Sequence, residues 1–293
     1  MISYLNIKKD EYKPTLYGFL YSFLIVAFFI LSKSFRDSLF LNNFSKEDLS
    51  YLYLITPIIT GFLVWFFLHV LKRFSLPLKS FLVHLVVCLI ATILLLNPSQ
   101  NSIFVYYIFV EFQIAIIAIL FWDVLSESFT NRQAKRLFVI ITSGGFLSAL
   151  IVGGSLSSIS QYIPQDKFVI GFNFLVLLCP FLVYLLIKSS FKEDTLTVQN
   201  NNTEVLLKDV FKNKYILNII FITFIFSIIS VIIDYNFKIL SFDKFQDSPL
   251  ELTNYFAKFY SITSFISFVM QLTISGFIIN RFGIKYALMI LPV

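Results

Sequence analysis

Eight predominantly apolar stretches, at about 15–34, 50–71, 79–97, 102–123, 137–160, 167–188, 214–237 and 253–280, each reach the length needed to cross a bilayer. That pattern leaves few options. In hydrocarbon every backbone N–H and C=O must find its partner inside the protein, and a run of this length does so as a helix. The reading is an all-α integral membrane protein. Composition agrees: 58% of the residues are hydrophobic and 14% charged, where soluble domains carry about a quarter charged. Lys8, Lys9 and Lys13 ahead of the first run resemble the start of a signal peptide. The run is too long for one, and no small-residue cleavage site follows, so it is read as the first span. A ninth apolar run, Tyr286 to Val293, makes only ~12 Å of helix against ~30 Å of hydrocarbon. The expectation is about eight and a half spans, with the natural chain continuing beyond Val293.

Between the sixth and seventh spans lies one long polar stretch, Ser189 to Asn213, read as a flexible linker. It divides the chain into an N-terminal six-span half, 1–188, and a C-terminal half, 214–293, holding spans seven, eight and the start of nine. With the N-terminus inside, 16 of the 23 lysines and arginines fall on the cytoplasmic side. The net charge of +6 therefore reads as membrane orientation, not nucleic-acid binding. A weak repeat supports two halves: Lys72-Arg73-Phe74-Ser75-Leu76 after the second span and Asn280-Arg281-Phe282-Gly283-Ile284 after the eighth. Repeated six-helix halves are the plan of major facilitator transporters.

Cys88 and Cys179 lie inside apolar runs, and neither a disulfide nor a metal site is indicated. His69 and His84 read as boundary or packing residues. No hydrolase or metalloenzyme signature occurs, so neither an enzymatic activity nor a cofactor is expected. In the fifth span Gly145, Ala149 and Gly153 recur every four residues, flanked by Gly144 and Gly154, and would let a neighbouring helix approach closely.

Isolated charges in apolar runs are the candidates for chemistry. Glu111 sits near the middle of the fourth span, where a carboxylate costs several kcal/mol and usually faces a cavity or a partner. The plainer reading is a packing residue, protonated or hydrogen-bonded with help from Gln113. Lys33, Arg36 and Asp37 close the first span. Lys33 and Asp37 are four apart and Lys33 and Arg36 three apart, so they share a face; snorkelling at a helix end is the plainer reading. Asp234 and Lys238 repeat the four-residue spacing at the end of the seventh span, as a pair across one turn or a boundary ion pair.

Four stretches together resemble one family. They are Lys33-Ser34-Phe35-Arg36-Asp37-Ser38-Leu39; Glu111 through Phe121-Trp122 to Ala134-Lys135-Arg136-Leu137-Phe138; Asp234-Tyr235-Asn236-Phe237-Lys238; and Phe256 to Gln271 with Arg281-Phe282-Gly283. The chain from about Leu31 onward resembles the non-mitochondrial ATP/ADP translocases of plastids and intracellular bacteria, with their uncharacterised bacterial relatives. The resemblance implies a twelve-helix, facilitator-like bundle in a bacterial inner membrane that exchanges nucleotides by alternating access. It implies transport roles for Lys33, Glu111 and Asp234, the last a glutamate in the family. Arg36 and Lys238 would join Lys33 in phosphate contacts, and Tyr106, Tyr107 and Tyr235 would offer aromatic faces. Two alternatives stay open: facilitator-type transport of another organic anion, coupled to protons through Glu111, and a non-transporting membrane sensor or scaffold that reuses the fold. The partners are the lipid bilayer and a small anionic solute.

The orientation has a direct check. In intact cells an impermeant thiol reagent added outside leaves a cysteine at position 200 unlabelled, and reaches it once the membrane is permeabilised.

Overall fold

The computed structural model describes residues 7–96, 98–159, 165–190, 214–245 and 248–270. Nine α-helices hold nearly all of these residues, and none of them is in a strand. They are α1 (Tyr12–Asn43), α2 (Lys46–Leu71), α3 (Leu76–Leu96), α4 (Gln100–Ser128), α5 (Asn131–Ile159), α6 (Gln165–Leu175), α7 (Cys179–Ser189), α8 (Lys214–Lys244) and α9 (Pro249–Met270). Among the described residues, six segments are able by length and composition to cross a membrane: Lys9–Asn43, Glu47–Leu71, Leu76–Leu96, Gln100–Ser128, Val169–Ser189 and Ile216–Lys244. Large apolar side chains stand exposed along them, among them Leu54 at 71%, Ile58 at 75% and Ile93 at 65%. Such surfaces suit lipid and not water. The chain is a multi-pass helical membrane protein.

Two of the eight expected spans come out differently. The one at 137–160 lies in α5, whose apolar stretch covers only Arg136–Val152. Thr142, Ser143, Gly144, Gly145 and Ser148 dilute it. The one at 253–280 is described only as α9, which carries Thr253, Asn254 and Lys258. Residues 271–280, the second copy of the repeat at 280–284, the run at 286–293 and linker positions 191–213 lie outside the described residues.

Local chemistry sets the helix ends. Ser45 caps α2 by accepting from Asp48 N at 3.2 Å while Asp48 Oδ2 accepts from Ser45 N at 3.0 Å. Thr130 and Gln133 do the same for α5, at 3.4 and 3.0 Å. The sixth span is two helices joined by a tight turn at Val176–Leu178. Pro180 explains the break, since its ring lacks an N–H and crowds the carbonyl of Val176 one turn back.

The most extensively packed helix pair is α1 with α5, and glycines make it possible. A Cβ on Gly144 would collide with the backbone oxygen of Phe19, and one on Gly145 would come within 2.7 Å of Val26 Cγ2. Ala149 continues the same face, fully buried against Ala27, Ile30 and Leu31. The small-residue stripe of the fifth span is thus the seam against the first. Polar contacts fasten the beginning of this pair: buried Glu11 accepts from Arg136 Nη2 at 2.7 Å and from Gln133 Nε2 at 3.3 Å. The main apolar core lies beside the seam, where Tyr21, Phe28, Val87, Phe112, Val124 and Leu186 meet.

The seam has a stability consequence. Gly144→Ala gains helix propensity of up to about 1 kcal/mol, yet forces α1 and α5 apart, and overpacking of this kind costs about 1–3 kcal/mol. The expected result is a lower thermal midpoint in detergent for Gly144→Ala and no loss for Gly154→Ala, whose Cβ would meet nothing within 4 Å.

A buried ion network as candidate functional site

Five helices bring side chains to one level of the bundle, near the end formed by the close of α1 and the start of α2. Lys33, Arg36 and Asp37 come from α1, Tyr53 from α2, Tyr107 and Glu111 from α4, Asp234 and Lys238 from α8, and Tyr260 from α9. At the centre is Asp37, its carboxylate fully desolvated. Its Oδ1 accepts from Arg36 Nη2 at 2.6 Å and Nε at 2.9 Å, and stands 3.2 Å from Lys238 Nζ. Its Oδ2 accepts from the Tyr260 hydroxyl at 3.3 Å. The remaining Arg36 nitrogen, Nη1, reaches Glu111 Oε1 at 2.5 Å. Arg36 therefore clamps two carboxylates at once, which its planar fork permits and a lysine would not.

The rest of the network runs through α8. Lys238 Nζ pairs with Asp234 Oδ2 at 2.9 Å across one turn, and donates to the Tyr107 hydroxyl at 3.3 Å. Tyr53 donates to Asp234 Oδ2 at 2.5 Å, and Lys33 stands 3.9 Å from Asp234 Oδ1. Aromatic faces complete the shell: Arg36 lies 4.2 Å above the Tyr107 ring, Lys33 4.8 Å from Tyr260 and Lys238 5.0 Å from Tyr53.

Burial is uneven. The side chains of Arg36, Asp37 and Lys238 are exposed by 1% or less, while Lys33, Asp234 and Glu111 are exposed by 32%, 29% and 37%. The site thus has a dry centre and an open rim. Formal charges balance, with three cations against three carboxylates. Two crevices lie elsewhere, one bounded by Leu71, Lys79, Val83 and Asp123, the other by Glu11, Pro14, Phe129 and Gln133. Neither includes a member of the network.

All five residues expected to carry the site, Lys33, Arg36, Glu111, Asp234 and Lys238, are members of this one network. Their pairing departs from the helical spacing in one respect. Asp37 is held by Arg36 and Lys238, not by Lys33, which turns to Asp234. Nor do the charges of α1 close a span by snorkelling. The helix continues to Asn43, and Arg36 is buried, because its charge is matched inside the bundle. Gln113 gives Glu111 no help: both its amide atoms are buried without a hydrogen-bond partner among the described residues. Of the three tyrosines named for their faces, Tyr107 joins the network. Tyr235 bonds Ser50 at 3.0 Å beside Tyr53, and Tyr106 packs into the core against Phe35. Sequence reading missed Tyr53 and Tyr260, whose hydroxyls are indistinguishable in sequence from those of 13 other tyrosines among the 15.

Both cysteines are buried and free, and His84 is a packing residue with Nδ1 2.7 Å from the Ser80 carbonyl. No group of metal-ligating side chains occurs among the described residues. Comparison with protein-family models, curated proteins and solved structures gives no match for the chain.

Burial predicts a graded response to neutralisation. Arg36→Gln leaves Glu111 without its partner and the buried Asp37 with Lys238 and Tyr260 alone, and breaking a buried pair from one side costs about 3–5 kcal/mol. Lys33→Gln removes a charge about one-third exposed and 3.9 Å from its partner, worth about 1 kcal/mol or less. Thermal unfolding in detergent should therefore show a large drop for the first and little change for the second.

Proposed function

We propose that this protein is a transporter that exchanges nucleotides of the ATP/ADP class by alternating access. On this reading the described helices belong to a six-plus-six facilitator-like bundle. Spans one to six form the first half, and spans seven, eight and the start of nine belong to the second. The membrane is a bacterial inner membrane, with the N-terminus in the cytoplasm.

The observation that carries the proposal is the meeting of Lys33, Glu111 and Asp234, with Arg36 and Lys238, in one network joining helices before the linker to helices after it. Charged groups at such depth are retained against their cost where they line a solute pathway or exchange partners. Arg36 is the basic partner of Glu111, and phosphate oxygens have the geometry to compete with that carboxylate for its guanidinium. Tyr260 and Tyr107, already beside cations, offer faces to a base.

Charge balance favours a second reading alongside the first. Six charges that sum to zero need little compensation for a solute of one negative charge, and more for a polyanion. A smaller organic anion therefore fits as well, with Glu111 taking a proton as its arginine is claimed.

Uptake of labelled ATP and ADP into liposomes carrying the intact protein tests both. Glu111→Gln should abolish or uncouple exchange while folded protein is retained, and Lys33→Ala should raise the KM for the anion several-fold. Wild-type uptake per folded molecule by Glu111→Gln would end the proposal. Uptake of a small organic anion with none of nucleotide would select the second reading.

A further inference from the structure

The ion network divides along a line that leaves no desolvated charge unpaired. On the side of α1 and α4, Lys33 and Arg36 balance Asp37 and Glu111, and the Arg36 fork holds both carboxylates without help from beyond the linker. On α8, Asp234 and Lys238 balance each other across one turn at 2.9 Å. Each side is neutral by itself. The polar contacts crossing the line are Lys238 to Asp37 at 3.2 Å, Tyr260 to Asp37 at 3.3 Å, Tyr53 to Asp234 at 2.5 Å and the long Lys33 to Asp234 contact at 3.9 Å, while α9 is also packed into the earlier helices through the fully buried Leu252, Phe256 and Ala257. Ser38 Oγ also donates to the Pro249 carbonyl at 2.8 Å, and Ser50 Oγ to Tyr235 OH at 3.0 Å.

A permanent interface has no need of this division. A buried ion pair adds little over apolar packing, and removing either partner alone is severely destabilising. A pair that must part and re-form needs a second partner waiting on each side, so that parting strands no desolvated charge. Asp37 keeps Arg36, and Lys238 keeps Asp234. The position of α8 fits the same account. Its residues from Ile219 to Ile233 are exposed, so it joins the earlier helices through its last turns, where these polar contacts lie.

We infer that this seam is a reversible latch closing one end of the bundle, with Asp37 as the residue that fastens α8 to α1. The inference deepens the transport reading, and its measurement needs no solute. It also fixes a sign for each residue. Asp37→Asn weakens the hold on Lys238, and Lys238→Gln removes that hold; both open the latch. Asp234→Asn takes away the alternative partner of Lys238 and leaves it dependent on Asp37; of its own crossing contacts it gives up only the long ion pair with Lys33, since an amide oxygen still accepts from Tyr53, so the latch stays closed. A static structural network has no such sign: every neutralisation would lower stability and none would move one helix set against the other.

Electron–electron double resonance on the intact protein reads the seam. Spin labels go at Asn43 and Lys244, both exposed helix-end positions flanking it, with a control pair at Asn43 and Gln100 on the same side. Cys88 and Cys179 are replaced by alanine. The wild type and Asp234→Asn should show the short Asn43–Lys244 distance. Asp37→Asn and Lys238→Gln should raise the ratio of long to short distances by about tenfold or more, within the range set by loss of one buried pair, with the control distance unmoved. Unchanged distances in both variants overturn the latch, as does an opening in Asp234→Asn equal to theirs or a control distance that shifts with them. Opening as described in a protein that takes up no nucleotide supports the latch and counts against the nucleotide reading alone.

Discussion

A charge taken out of water must be met by another charge within a few ångströms, and the arrangement of this protein near one end follows from that requirement. Arg36, Asp37 and Lys238 are as desolvated as any apolar core residue. Two unit charges 4 Å apart interact by about 1 kcal/mol in water and about 4 kcal/mol at the effective dielectric of protein. Desolvation of each ion costs several kcal/mol. The balance is met because each of these three has more than one partner. Asp37 has three, Arg36 two carboxylates and a ring, and Lys238 two carboxylates and a hydroxyl. Meeting those demands brings α1, α2, α4, α8 and α9 to one level. It also lets α1 run unbroken through a charged sequence to Asn43, because a matched charge gives a helix no reason to stop at the interface.

The molecule is held in two distinct ways. Along α1 and α5 the hold is shape. Gly144 and Gly145 let the backbones approach, dispersion contacts accumulate over the length of the helices, and lipid tails cannot imitate so close a fit. Glu11 with Arg136 secures the beginning of that pair. Between α1 and α8 the hold is ionic and local. Close packing between helices has one good register, whereas an ion network has several pairings of similar energy. Shape therefore suits the part that must stay together and charge the part that has a choice of partners.

This contrast explains which features could be read in the sequence. Helical spans were legible because hydrocarbon permits little else, and their errors follow from local composition: the polar small residues of α5 shorten its apolar stretch, and Pro180 splits the sixth span. The network members Lys33, Arg36, Glu111, Asp234 and Lys238 were legible because each interrupts an apolar run at evident cost. Their partners were less so. Helical spacing suggested Lys33 with Asp37, but spacing reports only neighbours on the same helix, while Asp37 is claimed by Lys238 at a sequence distance of about two hundred residues. Tyr53 and Tyr260 left no mark in a chain with 15 tyrosines and 37 phenylalanines. The ion pair of Glu11 and Arg136 leaves no such mark, because a charge near a membrane boundary is normal whether or not it is bonded.

The unequal exposure of the six charges bears on how any solute meets the site. Arg36 and Lys238 are buried and engaged, so an incoming anion reaches neither without first parting a pair. Lys33 is different: it is about one-third exposed, and its carboxylate partner stands at 3.9 Å, the longest of the ion-pair distances in the network. An anion gains most there for the least loss. Once it draws Lys33 away, Asp234 retains Lys238 and Tyr53, so the rest of the network survives the first contact. Glu111 stands at the rim with Oε1 on Arg36, placed where a second anionic group would compete for the same guanidinium. The geometry thus orders the encounter, Lys33 first and Arg36 after it. The cost of each step is set by how many partners the displaced carboxylate keeps.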